Sequence, residues 1–140
     1  MSNLMMLTRR LLVPALALSA ACALSTVPSP AELLGTWGGT HIALDVAPNE
    51  TAVELDCAHG TVQAPFTLDA DGRFDLPGEF VREHGGPIRE GEPLVKYPAR
   101  YRGTVTGNRM ELRIERVDSA QTLGSYSLRQ GDQGMVFKCL

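Results

Sequence analysis

Residues 100–117 read RYRGTVTGNRMELRIERV. Tyr101, Gly103 and Val105 alternate with Arg102, Thr104 and Thr106, and beyond Gly107-Asn108 the residues Met110, Leu112 and Ile114 alternate with Arg109, Glu111, Arg113 and Glu115. A period of two is that of a strand with one face in a core and the other in water. A glycine-containing corner between two such runs predicts a hairpin.

The same period extends outward from this stretch. Downstream it predicts strands over 122–129 and 134–139, joined by DSAQ and QGDQ turns. Upstream it predicts 36–46, with a bulge at Gly38-Gly39, and 52–59, with Val53, Leu55, Cys57 and His59 on one face. Strands over 64–68 and 73–76 should meet across the turn DADG, and after Pro77-Gly78 the chain should continue as 79–84. Residues 85–98, rich in proline and glycine, have no period and predict a long loop. No convincing helix intervenes. The expected fold is all-β, a small antiparallel up-and-down barrel of about eight strands, because closure removes the exposed edges of a meander.

The beginning of the chain has a different composition. Arg9 and Arg10 precede an apolar run of small residues over 11–23, which predicts a secretory signal over 1–23, too short for a spanning helix of roughly 20 residues. Cleavage before Cys22 and cleavage before Leu24 are both allowed. LSAAC resembles a lipobox, with Ser19 where leucine is usual, and cleavage there would leave Cys22 lipidated and the protein attached to a membrane. TRRLLV also resembles a twin-arginine export signal. LSTVPSP, residues 24–30, is a Pro/Ser linker, and the folded domain is expected over 31–140.

Loss of the leader takes two arginines from 13 basic residues and leaves all 16 acidic ones, so the mature chain is more acidic than the whole. That balance argues against a nucleic-acid partner, which needs a basic face. Cys57 and Cys139 are the two cysteines left in an exported domain, and an oxidising compartment favours joining them.

Three resemblances accompany this reading. Gly35-x-Trp37, in ELLGTWGGTHI, resembles the opening of calycin barrels such as lipocalins; that likeness implies a basic residue on a late strand over the tryptophan, and Arg129 in SYSLRQG is the matching position. PSPAELLGTW resembles the start of small periplasmic metalloprotease inhibitors, whose N-terminal trunk enters the protease. GTWGG, CAHG, DADGRF, REHGGP and PARY together resemble a group of small exported bacterial proteins without assigned function.

Candidate chemistry is sparse. His41, His59 and His84 are 18 and 25 residues apart rather than at the short spacing of paired zinc ligands, so no metal site or other cofactor is expected. Asp69 and Asp71 in DADG lack the late glutamate of a calcium loop and read as a turn. No G-x-S-x-G elbow or readable triad occurs, and no catalytic residue is assigned. His59 and His84, each followed by glycine, are expected at one rim of the barrel, where they and Arg82 would contact a ligand and Gly60, Gly85 and Gly86 would bring backbone amides close. Glu83 reads as a solvated or paired surface charge. The expectation is therefore a non-catalytic binding protein of the cell envelope, its partner a small molecule or an envelope protein. A metal-assisted or hydrolytic enzyme using His59 and His84 is one alternative. A secreted protease inhibitor using the N-terminal arm is the other.

Overall fold

From Gly35 to Gln130 the chain forms eight antiparallel strands: β1 (Gly35–Gly39), β2 (Ile42–Val46), β3 (Thr51–Leu55), β4 (Ala58–Val62), β5 (Arg73–Arg82), β6 (Val95–Thr106), β7 (Arg109–Arg116) and β8 (Thr122–Gln130). Each pairs with the next, and β1 pairs with β8, so the sheet closes into an up-and-down barrel. This computed structural model describes residues 27–140; the expected signal, its cleavage positions, the lipid on Cys22 and the first linker residues lie outside the described residues. A 3-10 turn, Pro30–Leu33, precedes the barrel.

The alternation of residues 100–117 appears as β6 and β7, with Thr106 opposite Arg109 around the Gly107-Asn108 corner. Tyr101, Val105, Met110, Leu112 and Ile114 are buried, and the intervening charged residues are largely outside. On that outer surface Asp75 pairs with Arg100 and Arg102, and Glu115 with Arg102 and Arg113.

Elsewhere the strand count agrees with expectation but the partition does not. The expected strand 36–46 is two strands turning at Thr40-His41, and 52–59 is two strands turning at Asp56-Cys57. Both tips use a left-handed residue other than glycine, His41 at φ 68° and Cys57 at φ 52°, so the usual Asn-Gly or Asp-Gly signal is absent. The expected 64–68 strand is irregular: Pro65 offers no N–H to a ladder, and Phe66 folds inward to pack, tilted, against Phe74 at 4.7 Å between centroids. Pro77-Gly78, read as an interruption, lies within the single strand β5. β4 pairs with β5 only from Glu79 onward, so Pro77 has no neighbour on that flank asking for its missing donor.

The core is one cluster of apolar side chains filling the barrel. Tyr101 crosses it, donating its phenol to the Glu79 carbonyl at 2.7 Å. The ring occupies the space that side chains at Gly60 and Gly78 would take, for a Cβ on Gly60 would lie 1.9 Å from the Tyr101 oxygen. Gly60 is thus an interior strand position rather than the ligand-facing turn expected for it.

Trp37 is completely buried, and its indole N–H donates to the Leu33 carbonyl at 2.8 Å, tying the 3-10 turn to the barrel. The expected partner Arg129 is not over it. Trp37 points in, whereas Arg129 alternates with buried Leu128 and lies on the exposed outer face opposite Gly38. The cation–π contact among the described residues is a different one, Arg116 over Tyr97 at 3.8 Å.

The expected strand 134–139 is a tail that runs outside the barrel. Gly131 donates to Thr36, Met135 exchanges backbone hydrogen bonds with Gly39 and His41, and Cys139 is disulfide-bonded to Cys57. The tail thereby travels from the end of β8 to the opposite rim along β1. A Cβ on Gly38 would fall 2.1 Å from the Gly134 nitrogen, which explains the first glycine of the Gly38-Gly39 pair as a seat for the tail rather than a bulge.

Candidate functional site

One rim collects the features with chemical character. It carries the Thr40-His41 and Asp56-Cys57 tips, the 83–94 loop, the 117–121 connection and the end of the disulfide-bound tail. His59 is the second residue of β4, opposite Val81, and β5 ends at Arg82, so His59 and His84 do belong to this rim. They reach it through two passages, β4 and β5, the even number that the expected strands implied.

Each histidine is held by its own carboxylate. His41 Nδ1 is 2.6 Å from Asp56, His59 Nδ1 is 2.7 Å from Glu83, and His84 Nε2 is 2.7 Å from Glu92. Glu83, expected as a solvated or paired surface charge, is paired, for it also receives Lys138 from the tail at 3.2 Å. Burial works against the charge on both Glu83 and Lys138. For Glu83 the hydrogen bonds from His59 and Lys138 outweigh it and hold the carboxyl below its usual range, and for Lys138 the bonds to Glu54 and Glu83 raise the ammonium. The Phe137 backbone N–H, 2.7 Å from Asp56, is the largest influence on that carboxyl, and with the weaker contribution of His41 it lowers it despite partial desolvation.

The imidazole of His84 is raised above its ordinary value, first by its hydrogen bond to the Gly85 carbonyl and then by Glu92. Glu92 is correspondingly lowered, first by the backbone of Arg89. The raised histidine contributes stability that is fully present below pH 6.5 and is lost as pH rises through its folded value; the lowered glutamate contributes stability present above pH 4.5 and lost as pH falls through its own. Loop order should therefore peak between about pH 4.5 and 6.5. In an NMR titration the His84 ring is expected to titrate above 6.5 in the native chain and to return toward that value in Glu92→Gln. An unchanged midpoint in the variant would show that the pair does not hold the loop.

The expected contact residues do not line one cavity. His84 lies with Pro87, Arg89 and Glu92 in an open groove of about 590 Å³ made by the loop itself. Arg82 lies in another, the mouth of the barrel, of about 260 Å³, with Leu55, Ala58, Phe80, Leu123 and Tyr126. His59 lines neither and is engaged with Glu83. Among the described residues, no group of three or more histidine, cysteine or acidic side chains is placed to hold a metal. No serine, threonine or cysteine nucleophile is hydrogen-bonded to any of the three histidines among the described residues.

Tyr126 and Leu123 escaped the reading of the chain as site residues. Tyr126 shares the inward parity of Leu128 on β8, a signal the alternation did carry. Asp56 and Lys138 had no such signal, since their roles depend on where the tail lands. No family model matches the chain, and neither the curated proteins nor the solved structures contain a match to it.

Proposed function

We propose that the chain is an exported, non-catalytic binding protein of the cell envelope that recognises its ligand at the disulfide-bearing rim. The observation carrying this reading is the filled interior: one apolar cluster occupies the barrel, so recognition falls to the rim and its loops. The histidines support binding over catalysis, because each is committed to a separate carboxylate and none activates a nucleophile. The N-terminal arm is less suited to the inhibitor role from Pro30 onward, where Leu33 is buried and bonded to Trp37.

A panel of small anionic, cationic and neutral amphiphiles, titrated to millimolar concentration against labelled mature protein, tests the reading by amide chemical shifts. At least one class is expected to perturb residues 55–58, 80–94 or 123–126 and to leave the opposite rim, residues 47–50 and 63–72, unmoved. Perturbation by no class at this rim would overturn it.

A further inference from the structure

The barrel mouth has one charge without a counterion. Its lining carries Asp56, Glu83 and Arg82 among apolar residues. Asp56 accepts from Phe137 through one oxygen and meets His41 with the other. Glu83 is engaged by His59 and Lys138. Arg82 has no carboxylate within 4.0 Å among the described residues and no side-chain hydrogen bond there. It also has inward parity on β5, following Phe74, Leu76 and Phe80, so its stem leaves the strand toward the mouth rather than the outer wall.

We infer that this mouth binds a small organic anion, a carboxylate or sulfonate head on a short apolar tail. The inference rests on the binding reading above and names the ligand class for that rim. Arg82 receives the head, since a planar guanidinium presents paired donors matched to a carboxylate. The Tyr126 phenol is the second donor: burial, and then the Asp56 charge, raise its pKa and keep it protonated. Leu55, Phe80 and Leu123 provide the apolar wall. A volume of about 260 Å³ lies just below the usual range for ligand pockets, so the tail it takes is short, about six carbons. Asp56 and Glu83 disfavour a second negative charge, so the preferred ligand is a monoanion.

Hexanoate, hexanamide and hexylamine, which differ in head group alone, are the probes. Hexanoate is expected to shift the amides of Arg82, Leu123 and Tyr126. Arg82→Gln should weaken it about tenfold or more, Arg82→Lys should retain part of the affinity, and Tyr126→Phe should weaken it less than Arg82→Gln. Arg82 is exposed at a strand end, and unchanged thermal unfolding of its variants checks that they remain folded. Mouth binding of hexanamide or hexylamine in preference to hexanoate would overturn the anion class while leaving the rim a binding site. So would hexanoate binding unaffected by Arg82→Gln. Silence of all three probes at the rim would overturn both readings.

Discussion

Replacing Cys57 and Cys139 with serine is expected to lower stability by roughly 4–5 kcal/mol, the chain-entropy value for a crosslink spanning 82 positions. The bond joins the far end of the tail to the Asp56-Cys57 tip, whose Cys57 sits in the left-handed region at φ 52°. Without it, the tail retains its backbone contacts to Gly39 and His41, but Phe137 and Lys138 lose the anchor that holds them against Asp56 and Glu83. Urea unfolding of the oxidised chain, the reduced chain and the double serine variant provides the measurement. The last two should share a lower midpoint, with fast amide exchange confined to residues 131–140 and the two adjacent tips below that midpoint. Equal midpoints for all three would mean that the barrel draws no stability from the staple.

Trp37→Ala is expected to cost about 3–5 kcal/mol, the range for removing a large buried aromatic side chain. Two effects combine at this position. The cavity opens in the central cluster, and the Leu33 carbonyl loses the indole donor that ties the 3-10 turn to β1. Circular dichroism must follow this unfolding, because Trp37 is the sole tryptophan. In the wild-type chain its emission should be blue-shifted and should remain so in Arg129→Ala, since Arg129 occupies the opposite face of the sheet. Reddening on that substitution would mean that the two side chains meet after all.

The two variants probe different layers of the fold, and the layers differ in how far they could be read from the chain. Alternation over residues 100–117 and 122–129 states which side chains go in and which go out, so β7, β8 and β6 from Arg100 onward follow from the sequence directly, whereas residues 95–98, expected in the long loop, begin β6. A two-residue turn that carries no glycine gives no marker at which to break a strand. Crossing Thr40-His41 or Asp56-Cys57 moves the inward set by one position, from Trp37 to Ile42, Leu44 and Val46 and from Val53 and Leu55 to Ala58 and Val62, but with no turn residue to mark the break each hairpin reads as one long strand. Conversely, Pro77-Gly78 is a strong turn signal that fails because β5 has no partner on that flank until Glu79. The expected total of eight survived because the two hairpins that read as single strands are offset by 64–68 and 134–139, which read as strands and are not.

The candidate site was legible in part for the same reason. His59, His84 and Arg82 could be assigned to strand ends by local pattern, and the disulfide by the count of cysteines in the expected mature chain. Local pattern cannot say which carboxylate each histidine meets. Glu83 is 24 positions from His59, Asp56 is 15 from His41, and Lys138 is 55 from Glu83. The sequence by itself determined an all-β chain, the inward faces of its later strands and a rim bearing polar residues. Only the tertiary structure decided that the last ten residues are a strap outside the barrel rather than a strand in it, that the histidines are separated by their own ion pairs, and that Arg82 is left unpaired at the mouth. The physical reason is range: side-chain period is set by bonded neighbours, whereas counterions and the path of a crosslinked tail are set by closure of the whole sheet.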